Sequence, residues 1–242
     1  MAIHPIDYRY GTAEMRGIWD EEHRFRSIVK AEIALAKAEG DVGLIPKADA
    51  DNIAAKAMNA TLERANQIEA EINHDMMAVV KAVTEVTGES GRWIHYGATS
   101  NDILDTATGL QMRDSLAIIE TKLKKLLKIL LQKAEENKKL VCAGRTHGQI
   151  GVPTTYGLRF AIWAAEVARH IERLEELRPR VAVGQMTGAV GTQASMGKDG
   201  HAVMVEVDVL ESVAGDVSRL VRRRQQGEVG YFLVRFVSHR LM

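Results

Sequence analysis

The 242-residue chain balances 32 basic against 32 acidic side chains, so its net charge gives no reason to expect nucleic acid or an anionic membrane as a partner. One cysteine, Cys142, excludes an internal disulfide and any zinc site built from several cysteines, and it suits a reducing compartment. Met1 to Tyr10 lacks the apolar core of a secretory signal, and no stretch approaches the roughly 18 apolar residues that span a bilayer, so a cytoplasmic protein is expected. Few prolines and aromatics, with abundant Ala, Leu, Glu, Lys and Arg, predict an all-α chain.

Residues 4 to 12 read as an extended lead-in. Arg9, between two tyrosines, is either an anion clamp that offers a guanidinium fork and the Tyr10 phenol to a phosphate, or a surface arginine packed on rings. Those residues alone favour the second reading. Thr12 can cap a helix that starts near Glu14, whose apolar face (Ile18, Phe25, Val29, Ile33, Ala36) runs to a stop at Gly40. A shorter helix covers about Ala48 to Asn59. Another begins near Thr61 and runs through Ile68, Ile72, Met76, Val79 and Val83 to Gly88. Asn73, His74 and Asp75 lie on it, where a histidine among carboxylates is by itself weak evidence of a site.

His95-Tyr-Gly-Ala-Thr-Ser-Asn-Asp102 follows. Thr99, Ser100, Asn101 and Asp102 are all good N-cap residues at the start of a helical pattern. A helix needs only one cap, so the surplus points to an anion cradle of hydroxyls beside unpaired backbone N–H groups. Met112, Leu116, Ile119, Leu123, Leu126 and Leu130 then form a heptad seam on a helix of roughly 30 residues, with its lysines off the seam. Helices this long belong to extended bundles. Cys142 to Phe160 breaks the helical pattern with glycines, Pro153 and threonines, and it presents Arg145, Thr146, His147 and Gln149 on one arch between helices. Turn chemistry explains the glycines and the proline but not a cation, an imidazole and an amide packed so closely. A second long helix ends at Pro179, and a second glycine-rich break spans Gly184 to Thr192, without the preceding strand a nucleotide-binding fingerprint requires. Val203 to Val213 is a short helix. The basic knot Arg219 and Arg222 to Arg224 lacks the interleaved aromatics of an RNA site.

Three separated polar breaks in a helical chain need one explanation. His95 to Thr106, Gly144 to Leu158 and Gly188-Ala-Val-Gly-Thr192, with Arg9-Tyr10 and Asn73-His74-Asp75, together closely resemble the adenylosuccinate lyases of the fumarase/aspartase superfamily. The resemblance runs from about Tyr8 to Thr192. It implies an all-α, long-helix bundle with a smaller N-terminal helical domain, divided as residues 1–108 and 109–242, and a homotetramer whose sites each draw on three subunits. It also implies β-elimination of fumarate from adenylosuccinate to give AMP, and the same cleavage of the succinylated aminoimidazole carboxamide ribotide. The implied partner is this small-molecule purine nucleotide, with no metal or organic cofactor.

By resemblance His147 is the general acid at the purine nitrogen, and Thr99 and Ser100 bind the succinyl carboxylate. Arg9 and Tyr10 hold the phosphate, while Asn73, His74, Asp75, His95, Thr146 and Gln149 line the pocket. The family's general base is a serine in a loop of the form Ser-Ser-x-Met-Pro-x-Lys, which this sequence lacks; Ser195-Met-Gly-Lys198 has no proline and is rejected as that base. Ser218 to Gln226 departs from the family's pattern as well. The expectation is therefore a chain truncated before the serine loop. The alternative is a non-catalytic helical module of the same family that binds nucleotide or mediates oligomerisation.

Overall fold

A computed structural model describes residues 9–211 of the chain. Their regular structure is helical except for one hairpin, and they divide into two compact units. The first comprises the described parts of Met1–Arg113 and Val181–Met242, and the second is Asp114–Arg180. This packing-based partition returns the chain to the first unit after residue 180, whereas a division at residue 108 follows sequence order. No helix among the described residues is long and apolar enough to cross a membrane.

In the first unit, α1 (Ala13–Ile18) is capped by Thr12, whose hydroxyl accepts from the Met15 N–H. The apolar face expected to continue unbroken is interrupted at Asp20, which caps α2 (Glu21–Asp41) by accepting from the His23 N–H at 2.7 Å. A carboxylate bonded to the first free amides gains more as a cap than inside a helix. Gly40, expected as the stop, lies inside α2 instead. A Cβ there would come 2.5 Å from the Ala50 Cβ, so its smallness serves the contact with α3 (Lys47–Lys56). The positive φ that ends α2 belongs to Gly43.

After a 3₁₀ turn at Ala57–Asn59 come α4 (Leu62–Ile72), capped by Thr61, and α5 (Asp75–Thr87), which packs against it. The sequence reads these as one helix. They are two because Asn73 adopts the left-handed conformation at φ 53° and His74 caps α5. Asparagine tolerates that region better than other non-glycine residues.

The helix α6 (Ser100–Glu136) is 37 residues long. Its first turns share the first unit's core with Phe25, Val29, Leu35, Ile53, Met76 and Val83; Ile103 and Ala107 are its contribution. The returning chain adds Met186, Met196 in the 3₁₀ segment Ala194–Asp199, and Val203 and Val207 on α8 (Gly200–Glu211). The basic knot at Arg219 to Arg224 and the pattern departure at Ser218 to Gln226 lie outside the described residues.

In the second unit, the remainder of α6 packs through Leu130, Leu123 and Leu127 against Phe160, Ala164, Val167 and Ile171 of α7 (Tyr156–Val181). Pro179 sits inside the last turn of α7 rather than ending it. A Cβ on Gly157 would approach the Lys138 Cα to 2.5 Å, so this glycine lets α7 begin hard against the end of α6. Leu126, Ile129 and Leu131 of α6 and Ile162 and Trp163 of α7 are exposed.

The arch between these helices is a β-hairpin, the one departure from an all-α chain among the described residues. Strands β1 (Val141–Thr146) and β2 (Gln149–Thr155) pair antiparallel, with a register irregularity between Ala143 and Arg145. The two-residue loop His147-Gly148 has both φ angles positive, 49° and 73°, as the mirror-image turns that suit the twist of a tight hairpin require. Val141, Thr146, Ile150, Val152, Thr154 and Thr155 carried the strand signal, masked in the sequence by glycines and Pro153.

Candidate active site

The first unit gathers His95, Thr99 and Ser100 at the start of α6. The 3₁₀ segment Gly88–Trp93 leads into them and is pinned by Asp49 of α3, which accepts from the Ser90 hydroxyl at 2.6 Å and the Trp93 indole N–H at 3.0 Å. The Ser90 hydroxyl contact contributes most to holding the Asp49 carboxyl below its ordinary pKa.

Beyond this segment His95 takes a left-handed φ of 62°. That conformation costs a non-glycine residue roughly 1–2 kcal/mol. Glu32 of α2 stabilises it with both carboxylate oxygens: Oε2 accepts the His95 backbone N–H at 3.0 Å, and Oε1 lies 2.6 Å from Nδ1. The Glu32 side chain is wholly buried and the imidazole 16% exposed. Burial pulls the His95 pKa down, but the Glu32 hydrogen bond and charge, helped by Asp102, outweigh it, and the net shift is upward.

Two helical turns along α2 from Glu32, Glu39 is also buried, and neither of its carboxyl oxygens has a hydrogen-bond partner among the described residues. Burial, with a further push from Glu32, raises its pKa from 4.5 to about 9. Glu39 is therefore neutral at neutral pH, which leaves Glu32 as the charged partner of His95.

The polar run at the head of α6 divides its labour. Thr99 is the cap residue: its carbonyl accepts the Asp102 N–H at 2.9 Å, and its own N–H donates to Asp102 Oδ2 at 3.0 Å. Asp102 is fully buried. Its carboxylate also accepts the backbone N–H groups of Thr187 and Gly188, each at 2.9 Å. Thr106, one turn on, donates its hydroxyl to the Asp102 carbonyl and accepts the Gln185 N–H at 2.9 Å.

The second glycine-rich break is thus strapped across the first turns of α6. Gly109 permits the crossing, because a Cβ there would lie 2.5 Å from the Val183 carbonyl oxygen. Neither the Thr99 nor the Ser100 hydroxyl is used in this strap; both side chains are half-buried beside the helix's positive end. The sequence singles out neither Thr106 nor Glu32, and Asp102 only as one of four N-cap candidates, not as the anchor of the strap. For Asp102 a signal for that role existed, an acid three residues after a capping threonine; for Glu32, one of several acids along α2, there was none.

The other candidates lie elsewhere. Asn73, His74 and Asp75 are exposed at the α4–α5 junction, where their bonds are local. His74 Nδ1 accepts the Met77 N–H at 3.2 Å, and Asp75 accepts the Met76 N–H at 2.7 Å. Arg9 and Tyr10 are exposed at the start of the described residues. In the second unit, Thr146 and Gln149 face each other across the hairpin, with His147 at its tip, all exposed. Arg145 pairs with Ile150, so strand alternation puts it on the opposite face from Thr146 and Gln149, and the arch divides into two faces. Ser195 donates its hydroxyl to the Gly97 carbonyl, and its neighbour Met196 is buried against Gly97. No cluster of three or more His, Cys, Asp or Glu among the described residues is placed to hold a metal ion.

What the α6 start can do is bind an anion. It offers two hydroxyls, a helix N-terminus and an imidazole biased towards its charged form.

A family model described as Lyase matches residues 7–225 of the chain. Adenylosuccinate lyase of Archaeoglobus fulgidus is 57% identical over 207 residues, which are 86% of this chain and 46% of that protein. Adenylosuccinate lyase of Methanocaldococcus jannaschii is 50% identical over 247 residues, 100% of this chain and 53% of its own length. Among solved structures, a fumarate lyase from Mesorhizobium sp. BNC1 superposes with a TM-score of 0.76 at 36% identity, covering 83% of this chain and 49% of that one. The chain spans about half the length of the curated relatives it matches.

Proposed function

The chain belongs to the Lyase family, and from that premise we propose that it acts as part of a cytoplasmic adenylosuccinate lyase. The reaction eliminates fumarate from adenylosuccinate to leave AMP, and from the succinylated aminoimidazole carboxamide ribotide by the same chemistry. A proton leaves the succinyl carbon next to a carboxylate, the electron pair forms the C=C bond of fumarate, and the C–N bond breaks towards the purine nitrogen, which takes up a proton. Such a reaction calls for an acid at the leaving nitrogen and for donors around the carboxylate that holds charge in the transition state.

The observation that carries the reading is the α6 start, where Thr99 and Ser100 keep their hydroxyls out of the Asp102 strap and His95 stands anchored by Glu32. In this reading Thr99 and Ser100 take the succinyl carboxylate, with His95 beside them. His147 protonates the leaving nitrogen, with Thr146 and Gln149 flanking it. Arg9 and Tyr10 hold the phosphate, and Asn73, His74 and Asp75 line the pocket. The exposed apolar residues of α6 and α7 support assembly as a homotetramer whose sites draw on three copies. The general base is assigned to no residue of this chain: Ser195 is tied to the Gly97 carbonyl.

The test is fumarate release from adenylosuccinate by the 242-residue chain, followed by absorbance beside His147→Ala and a Thr99→Ala, Ser100→Ala double variant. Turnover that both variants lose supports the lyase reading. AMP binding without turnover means a half-built lyase site, as expected of a chain to which no general base is assigned. Neither binding nor turnover rejects the lyase reading.

A further inference from the structure

Glu32 anchors His95 but has no role of its own in the reaction described. It lies in the middle of α2, buried two turns from the equally buried Glu39, and spends both oxygens on His95. Burying a carboxylate costs several kcal/mol unless it is paired, so a glutamate serving only to fill space would be replaced with advantage by an apolar side chain. Two further features point the pair outwards. His95 bends into a left-handed φ to reach Glu32. With Nδ1 bound to Glu32 and the ring still 16% exposed, Nε2 is the nitrogen that remains for a ligand.

We infer that Glu32 is a positioning residue for the substrate dicarboxylate: it holds His95 with Nδ1 engaged and Nε2–H presented, as a cation, to the carboxylate that Thr99 and Ser100 receive. This rests on the lyase reading for the identity of the ligand but not for the state of His95. The charged groups acting on His95 are Glu32 from α2 and Asp102 from α6. Asp102 is committed to the Thr99, Thr187 and Gly188 amides, and Glu39 is neutral, so Glu32 is the counter-charge that sets the imidazole. A cation bonded to an anionic ligand oxygen makes a hydrogen bond roughly twice as strong as a neutral donor does, and a histidine loses that advantage once it deprotonates.

The experiment combines histidine side-chain NMR of the 242-residue protein with calorimetry of fumarate binding across pH. In the unaltered protein, His95 should titrate above the ordinary histidine value, with the remaining proton on Nδ1, bonded to Glu32, once the ring is neutral. Titration below that value overturns the proposal without need of any variant. In Glu32→Gln the His95 midpoint should fall, and fumarate binding near pH 7.5 should weaken about tenfold while recovering towards wild type near pH 5.5. Glu32→Asp should restore part of the shift. A Glu32→Gln protein that is less stable but keeps the same His95 midpoint and the same pH profile of binding would mean that Glu32 is only structural. If the unaltered protein binds no fumarate at any pH while His95 behaves as described, Glu32 still sets the charge and tautomer of His95, but the dicarboxylate as its ligand, and the lyase reading with it, fails.

Discussion

The Gly188 backbone N–H donates to Asp102 Oδ2 at 2.9 Å across 86 residues of sequence. With the Thr187 and Thr99 amides on the same carboxylate, this makes Asp102 the point where the second glycine-rich stretch and the start of α6 become one structure.

Asp102→Asn should therefore be costly. The amide has one acceptor oxygen for amides that now share two, and its NH₂ group faces donors. Leaving buried donors unpaired predicts a loss of about 2–4 kcal/mol, measured by denaturant unfolding. Amide exchange at Thr187 and Gly188 should accelerate more than in α5. Unchanged exchange there would contradict the strap.

Glu39 gives the protein a pH signature. Its folded pKa of about 9 exceeds the unfolded 4.5, so its contribution is fully present below 4.5 and is lost as pH rises towards 9. Over that window the folded state holds a proton the unfolded chain has released, and stability falls by up to about 1.4 kcal/mol per pH unit. His95, also raised, adds the same sign: stability present below the ordinary histidine value is lost as pH climbs through its folded value. Glu39→Met removes a buried carboxyl that has no hydrogen-bond partner among the described residues and should raise stability near pH 8 by about 1–3 kcal/mol. It should also flatten the pH dependence. A curve as steep in the variant as in the parent rules Glu39 out as its source.

Gly40 sets helix propensity against packing. Alanine in the interior of α2 gains about 1 kcal/mol over glycine, but its Cβ would lie 2.5 Å from the Ala50 Cβ, far inside contact distance. Overpacking of this kind costs typically 1–3 kcal/mol, so Gly40→Ala should be net destabilising by thermal unfolding. Adding Ala50→Gly should recover part of the loss. A stabilised single variant would mean that α2 and α3 do not meet there.

His147 separates stability from chemistry. It sits exposed at positive φ in the hairpin turn, where asparagine is at least as comfortable as histidine. His147→Asn should leave unfolding within about 0.5 kcal/mol of the parent, while fumarate release falls about a hundredfold or more, as loss of a general acid requires. Full turnover in a folded His147→Asn protein would remove His147 from the reaction.

Local interactions were legible in the sequence by itself. Thr12 and Thr61 cap helices because a hydroxyl before a helical run finds free amides within three residues. The long helix α6 followed from heptad spacing, although Met112, Ile119 and Leu126 of the expected seam are exposed while Leu123, Leu127 and Leu130 pack against α7. The motifs around His95, His147 and Gly188 carried the family. The elements it misread were settled by competing local preferences: Asn73 bends left-handed and splits α4 from α5, and β-branched residues around a His-Gly turn form strands where glycines and a proline suggested a loop.

Only the tertiary structure decided which partners these residues have. Nothing near Glu32 in the chain marks it as the counter-charge of His95, 63 residues away, and nothing near Gly188 announces Asp102. Such bonds arise because burial leaves a charged or polar group no water to turn to, so it must find its partner wherever packing has brought one. That search runs through space, and periodicity along the chain holds no record of it.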